Sequence, residues 1–264
     1  MRIGSLFSGI GGLELGLERA IPGSKVLWQV EKDSYARMVL SKHWPDAKRF
    51  EDVREVGRHN LQTVDVVCGG FPCQDISRTG SGEGLHGERS GLWFEFARII
   101  REIRPRYAVL ENVSMLRSRG LGVVLQNLAS LGYDAIWDCI PASFINAPHQ
   151  RDRLFVVAYA NNVSGKTMRR ECAYAQKAST RRQSLSGRRC GNAGRQRSVQ
   201  RPRELPSPFK TEMRQSDAWE DEPGLDRVVD GIPNRVDRYR CLGNAVVPQV
   251  SEILGRIIYG MEVK

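Results

Sequence analysis

The sequence contains no Cys-x-x-Cys pair, no internal repeat and no apolar run of about 18 residues, the length of a membrane-spanning helix. Its six cysteines are scattered over 264 residues, so neither a zinc site nor a disulfide framework is expected. The first residues lack the basic and apolar regions of a signal peptide. These absences predict a cytoplasmic protein with no transmembrane helix and no metal ion.

The net charge of +10 is concentrated in one segment. Residues 160–220 contain 14 Lys and Arg against 5 Asp and Glu, whereas the rest of the chain contains 26 against 25. Such a segment attracts a polyanion, because binding releases counterions, but a solvated basic loop has the same composition. Residues 161–235 are also poor in periodic apolar residues, which predicts little regular structure there.

The first 160 residues alternate between apolar strands and amphipathic helices. This alternation predicts an α/β domain with a mainly parallel sheet, whose ligands bind at the carboxyl ends of the strands. Near the end of the chain, LGNAVVPQV indicates a loop that leads into a helix over about 248–259. The predicted strands include 2–7, 25–30, 64–70, 107–113, 133–140 and 153–160, and the predicted helices include 34–43, 92–103 and 121–131.

Two features after the first strands favour a nucleotide-like cofactor. The glycines of FSGIGG, at 7–12, let the backbone turn tightly and approach a ligand closely at a helix N-terminus. Glu31 follows the second strand and can accept hydrogen bonds from ribose hydroxyls, and Asp52 follows the predicted third strand. Each carboxylate alone is more consistent with an ordinary surface position. Together they favour a cofactor that contains adenosine.

Three further features have the residue types of a catalytic site. Cys73 follows Pro72 in a polar loop behind a buried strand, where a thiol can act as a nucleophile. Glu111 follows four apolar residues, so burial can raise its pKa and make it a proton donor. Arg151 and Arg153, at the start of a strand, can bind an oxygen or a phosphate. The alternatives are a core thiol, a carboxylate bonded to backbone amides and a surface ion-pair cluster.

The order of these features resembles that of the cytosine-C5 DNA methyltransferase family. The resemblance covers about residues 1–160 and 223–260, and the chain departs from the family at His149, where the family often has Gln. It implies a Rossmann-like methyltransferase fold with a small irregular target-recognition segment. The implied regions are a catalytic domain at 1–160, a basic recognition region at 161–237 and a returning segment at 238–264. The matching motifs are FSGIGG, GGFPCQDIS, ENV, QRDRLFVVA and RYRCLGNAVVPQV.

The resemblance implies an enzyme that transfers a methyl group from S-adenosylmethionine to carbon 5 of a cytosine flipped out of duplex DNA. Cys73 is the implied nucleophile, Glu111 the acid that stabilises the covalent adduct, and Arg153 a contact of the cytosine O2. Arg151 and Asn112 support these groups. The implied cofactor-binding residues are Phe7, Ser8, Gly9, Gly11, Gly12, Glu31, Lys32, Asp52, Val53, Pro72, Asn244 and Val246.

Other functions remain open at this point. One branch of the same family methylates transfer RNA, and the basic segment suits either polyanion. An inactive DNA-binding relative is a second alternative, which the intact catalytic residues disfavour. A nicotinamide dehydrogenase would explain the glycine loop alone. The expected setting is a bacterial or phage-encoded monomer that acts on double-stranded DNA, with a cognate restriction endonuclease as a candidate partner.

Overall fold

The computed structural model describes residues 1–72, 91–161 and 234–263. Within these ranges, seven strands form one sheet: β1 (Arg2–Leu6), β2 (Lys25–Val30), β3 (Lys48–Phe50), β4 (Val66–Gly69), β5 (Tyr107–Val113), β6 (Tyr133–Ile140) and β7 (Arg153–Ala160). Their order across the sheet is β3-β2-β1-β4-β5-β7-β6. Strands β1 to β5 are parallel, and β7 is antiparallel to both of its neighbours. The α/β class and the mainly parallel sheet are therefore confirmed.

Helices cover both faces of the sheet. The helices in the described residues are α1 (Gly12–Ala20), α2 (Ser34–His43), α3 (Gly91–Ile103), α4 (Leu116–Arg119), α5 (Leu121–Ser130), α6 (Arg235–Asn244) and α7 (Pro248–Glu262). Buried side chains of α3 and α5 form one core with alternate strand residues. Buried side chains of α1 and α7 form a second core on the other face. Burial of two apolar layers is the main stabilising contribution to this fold.

Helix α7 packs against α1 through small residues. A Cβ atom on Gly16 would lie 2.2 Å from the Pro248 carbonyl oxygen, so glycine is required for this approach. The Ser251 hydroxyl donates a hydrogen bond of 2.9 Å to the carbonyl of Gly12. The last described segment is thereby fixed beside the loop that precedes α1.

Several predicted bounds differ from the structure; the strand predicted at 64–70, for example, covers only Val66–Gly69. Two further differences bear on the cleft. The first strand ends at Leu6, because Phe7 has a positive φ of 54° and cannot continue a strand. Residues 242–244 form the last turn of α6 rather than a loop, and Ala245 N–H closes that turn on the Leu242 carbonyl at 3.2 Å. The predicted region boundary at residue 237 consequently lies inside α6. The irregular structure predicted for 161–235 falls almost wholly outside the described residues.

Two possible features are absent from the described ranges. No helix there is both long enough and apolar enough to cross a membrane. The same ranges contain no group of three or more His, Cys, Asp or Glu side chains placed to hold a metal ion.

Candidate active site

A cleft of about 780 Å³ opens at the edge where the parallel strands end. Strand β7 runs in the opposite direction, so its first residue, Arg153, pairs with Val113 at the end of β5 and reaches the same edge. The residues of the cleft thus come from several separate motifs. Those among the predicted site residues are Phe7, Gly9, Glu31, Lys32, Asp52, Val53, Pro72, Glu111, Asn112, Arg151, Arg153 and Asn244.

The side of the cleft formed by β1, β2 and β3 is built on carboxylates that accept backbone hydrogen bonds. The Glu31 Oε2 atom accepts from Gly9 N–H at 2.7 Å, and Oε1 accepts from Asp33 N–H at 2.8 Å. Asp52 accepts from Arg54 N–H at 2.9 Å. These bonds fix the carboxylates in place, and each oxygen retains a lone pair that can accept from a ligand hydroxyl or amino group.

Backbone strain marks both ends of the cleft. The structure places five non-glycine residues of its described ranges at positive φ, and two of them, Phe7 at 54° and Arg151 at 32°, line the cleft. Such conformations cost of order 1–3 kcal/mol each and concentrate at functional sites. At Phe7 the turn directs the chain away from β1, and the phenyl ring stacks on Phe96 with centroids 6.4 Å apart.

Glu111 and Arg153 form an ion pair at the other side of the cleft. Arg153 Nε lies 3.2 Å from Glu111 Oε1, and the Glu111 side chain is 13% exposed. Burial raises the pKa of Glu111 to about 6, although Arg153 and Arg151 both act to lower it. Gly70 packs directly against this carboxyl, because a Cβ atom there would lie 2.6 Å from Oε2. Both the acid and the carboxylate form of Glu111 are therefore populated near pH 6.

Asn112 connects this carboxyl to the segment that precedes Cys73. Its side chain is buried, and Nδ2 donates a hydrogen bond of 3.0 Å to the Phe71 carbonyl oxygen. The next residue, Pro72, lines the cleft. Cys73 lies outside the described residues.

Like Arg153, Arg151 lines both the main cleft and a second cleft of about 690 Å³. The Arg151 guanidinium donates to the Ala245 carbonyl oxygen at 2.5 Å, which joins this edge of the sheet to the chain between α6 and α7. Burial and the nearby Arg153 lower the pKa of Arg151 from its usual high value. The second cleft also contains His149 and Val246.

Four predicted cofactor-binding residues do not line the main cleft. Ser8 is buried beneath the glycine loop, and its hydroxyl donates to Ser5 Oγ at 2.9 Å. Gly11 packs beside the Trp44 ring. The other two are Gly12 and Val246, which are in close contact. A Cβ atom on Gly12 would lie 2.2 Å from the Val246 carbonyl oxygen. These residues shape the loop from behind.

The cleft also contains residues that sequence reasoning missed. Arg240, in α6, pairs with Asp33 at 2.5 Å and with Asp237 at 2.9 Å. Arg240 and Asn244 both line the cleft and stand four residues apart in α6, so they share one helix face. A helical prediction for 240–244 would have identified Arg240. The other missed residues include Asp33, Arg54, Leu92 and Cys241.

The chain is similar in sequence to known methyltransferases. It is 35% identical over 166 residues to the type II methyltransferase M2.BsuMI of Bacillus subtilis, covering 60% of the chain and 42% of the relative. It is 39% identical over 166 residues to the type II methyltransferase M.Eco47II of Escherichia coli, covering 60% and 39%. The chain thus spans about two fifths of the length of these relatives.

A methyltransferase structure from Entamoeba histolytica, EhMeth, matches the whole fold. The TM-score is 0.64 at 13% identity, and the match covers 100% of the chain and 99% of that structure. This likeness concerns the fold alone and confirms the predicted Rossmann-like methyltransferase fold. A family model described as C-5 cytosine-specific DNA methylase matches residues 1–207, most of the chain. The chain therefore belongs to the C-5 cytosine-specific DNA methylase family.

Proposed function

We propose that the protein is a DNA (cytosine-5-)-methyltransferase that uses S-adenosylmethionine and forms a covalent adduct through Cys73. One observation carries this proposal. A single cleft combines the Glu111–Arg153 pair with Glu31 and Asp52 at the opposite side. Family membership supports the same activity, as do relatives that are named type II methyltransferases.

The chemistry of the β1–β3 side fits the cofactor. Phe7 offers an aromatic ring, while Glu31 and Asp52 offer acceptors for ribose hydroxyls and an adenine amino group. The position of a Cβ on Gly9 has no heavy atom within 4 Å, which leaves open space above the loop. Asn244 adds an amide on the side of α6. When bound, S-adenosylmethionine would supply an electrophilic methyl group to carbon 5 of the base.

The residues of the catalytic side would activate that carbon. The Cys73 thiolate forms a bond to carbon 6 of the cytosine while neutral Glu111 gives its proton to N3, so the ring becomes an enamine. Arg153 holds Glu111 and offers N–H groups to O2, which stabilises developing charge. Methyl transfer would release S-adenosylhomocysteine. Carbon 5 then loses its proton to a water molecule, the carbon–sulfur bond breaks, and N3 returns its proton to Glu111. Cys73 leaves as the thiolate.

The proposal is tested by methyl transfer from labelled S-adenosylmethionine to duplex DNA and to transfer RNA. Label in DNA is expected, whereas label in RNA alone would favour the transfer-RNA alternative. DNA containing 5-fluorocytosine should trap a covalent adduct with the wild-type protein and none with Cys73→Ser. Absence of a trapped adduct and of label in both substrates would favour the inactive relative. Bisulfite sequencing of DNA from expressing cells would reveal the recognition site.

We also propose the biological setting. The named relatives occur in Bacillus subtilis and Escherichia coli, which supports a bacterial or phage-encoded protein in the cytoplasm. We propose that it acts as a monomer. Their designation as type II methyltransferases supports a restriction-modification role with a cognate endonuclease. The basic region at 161–237 would read the target sequence, between the catalytic domain at 1–160 and the returning segment at 238–264.

A further inference from the structure

A row of polar side chains lies buried under the first turn of α1. Gln29, Ser5 and Cys68 occupy paired positions on the neighbouring strands β2, β1 and β4, so they point to the same face of the sheet. Glu14 of α1 is fully buried, as are Ser5 and Gln29. Gln29 Nε2 donates to Glu14 Oε1 at 3.5 Å. The proposed mechanism does not use this cluster.

The hydrogen bonds of Glu14 and Gln29 are incomplete in a specific way. Across the described residues, three buried side-chain atoms lack a hydrogen-bond partner, and two of them are Glu14 Oε2 and Gln29 Oε1. Both are acceptors, and they belong to side chains already joined by one hydrogen bond. Burying an unpaired acceptor is costly, and burying an uncompensated carboxylate costs more. One proton on Glu14 Oε2 turns it into a donor that can satisfy Gln29 Oε1 as well.

We propose that Glu14 is a positioning residue, which as the neutral acid forms a two-hydrogen-bond pair with Gln29 and thereby holds the cofactor loop. The pair joins the first turn of α1 to β2, two residues before Glu31. Ser8, in the loop itself, is bonded to Ser5 in the same cluster. This inference rests on the proposed function only in taking residues 7–12 as the cofactor loop.

The charged surroundings agree with a neutral Glu14. Burial raises its pKa to about 7, against the lowering influence of the Ser5, Ser8 and Gln29 side chains. From β4, Cys68 faces the cluster, and burial raises the pKa of its thiol well above the usual value, so the thiol is also neutral.

Other ionisable groups near the cluster belong to α1 and α7. Glu18, one turn further along α1, influences the same Cys68 thiol and accepts hydrogen bonds from Val26 N–H and Trp44 Nε1. From α7, Glu252 pairs with Arg19 at 3.3 Å. Glu14 itself has no ion pair within the described part of the chain, so only hydrogen bonds, such as that from Gln29, offset part of the cost of a buried charge.

Binding of S-adenosylhomocysteine, measured by calorimetry between pH 6 and 9, tests the role of the proton. Above about pH 7 the wild-type protein loses the proton and with it the pair, so its Kd should rise. Glu14→Gln carries a permanent donor in the same place and should bind at every pH. The wild-type Kd should therefore be about tenfold higher than that of Glu14→Gln at pH 8 and equal to it at pH 6. Parallel pH profiles for the two proteins would overturn the inference.

Glu18→Gln is the matched control, since it makes the same chemical change one turn along the same helix. It should keep the pH dependence of the wild-type protein. Gln29→Leu removes the partner and should weaken binding at all pH values. If Glu18→Gln abolished the pH dependence as Glu14→Gln does, Glu14 would not be the group responsible.

A second measurement needs no cofactor and separates this inference from the proposed function. Glu14 has a raised pKa in the folded protein, so its contribution to stability is complete at low pH and is lost as pH rises towards about 7. The wild-type urea midpoint should fall between about pH 5 and 7 relative to that of Glu14→Gln. If the wild-type protein bound no S-adenosylhomocysteine at any pH, the proposed function would fail, and this comparison would still decide the role of Glu14. Identical pH dependence of the two midpoints would overturn that role.

Discussion

The two sides of the cleft hold their functional groups by different means. On the β1–β3 side, Glu31 and Asp52 accept hydrogen bonds from backbone N–H groups within a few residues or from the adjoining glycine loop. On the β5–β7 side, Glu111 is held by a side chain of the neighbouring antiparallel strand, Arg153, and by the close approach of Gly70. The first side is therefore held by backbone amides, whereas the second depends on a side chain and a close backbone approach from other strands.

This difference suits the two sides to different tasks, ligand binding on one side and proton transfer on the other. Carboxylates that accept hydrogen bonds from backbone amides are held in place as acceptors, as binding of a neutral sugar and base requires. A carboxyl that is desolvated and balanced by an arginine keeps a pKa near working pH, as proton transfer requires. Substitutions on the two sides should consequently separate binding from chemistry.

The largest expected effect follows from Glu111→Gln. The amide keeps the shape of the carboxyl but cannot give up a proton to N3, so methyl transfer at saturating DNA and cofactor should fall by about 10²–10⁴-fold. The Kd for S-adenosylhomocysteine should be unchanged, because we propose that this ligand binds at the other side. Both quantities are measured on the same preparation, with Glu95→Gln in α3 as the control. A large loss of cofactor affinity would show that the two sides are not separate.

A smaller effect is expected from Glu31→Ala, and it should change the affinity for the cofactor rather than the rate. The change removes the acceptor for Gly9 N–H and for the proposed ribose, and a hydrogen bond to a charged group contributes about 1.5–3 kcal/mol. The Kd for the cofactor should rise about 10- to 100-fold, while the rate at saturating cofactor stays near that of the wild-type protein. Asp46→Ala, in an exposed ion pair with Lys25, should change neither value. A selective loss of rate would contradict the assignment.

Gly70→Ala tests how closely the second side is packed. The new Cβ would lie 2.6 Å from Glu111 Oε2, so the carboxyl must move by several tenths of an ångström. Methyl transfer should fall about tenfold, less than the roughly 10²-fold cost of a 1 Å misplacement. Gly122→Ala in α5 meets open space and serves as the control, with full activity and a gain of up to about 1 kcal/mol in stability. Full activity in Gly70→Ala would show that Glu111 has room to move.

The β1–β3 side of the cleft was easier to predict from the sequence than the β5–β7 side. The glycine loop and Glu31 follow their strands directly, Asp52 follows β3 by two residues, and β2 was predicted at its exact residues. Even so, the sequence did not reveal that the strand stops before Phe7, because a positive φ at a phenylalanine depends on the packing around it.

The β5–β7 side could not be predicted fully, because apolar periodicity does not give the direction of a strand or its neighbours in the sheet. A pattern of apolar residues identifies β7 as a strand but not its direction, and only the antiparallel direction brings Arg153 to Glu111. Arg240 was missed because the Gly-Asn pair at 243–244 suggested a loop, although α6 continues through it. The local sequence predicts which segments are strands and which are helices. The Glu111–Arg153 pair and the position of Arg240 depend instead on how the sheet and α6 are assembled.

The smallest expected effect is a change in the pKa of Glu111. Arg153→Met removes the nearer of the two cations that lower the pKa of Glu111, so that pKa should move upward from about 6. Because the folded-state pKa lies above that of the unfolded chain, the free energy of unfolding falls as pH rises from about 4.3 to about 6, and the variant should extend this fall to higher pH. Carbon-13 NMR of labelled glutamate carboxyls measures the pKa directly. Arg106→Met, which breaks the pair with Glu262, should leave it unchanged. An unchanged pKa in Arg153→Met would mean that burial alone controls Glu111, and the contrast between the two sides would then reduce to a difference in desolvation.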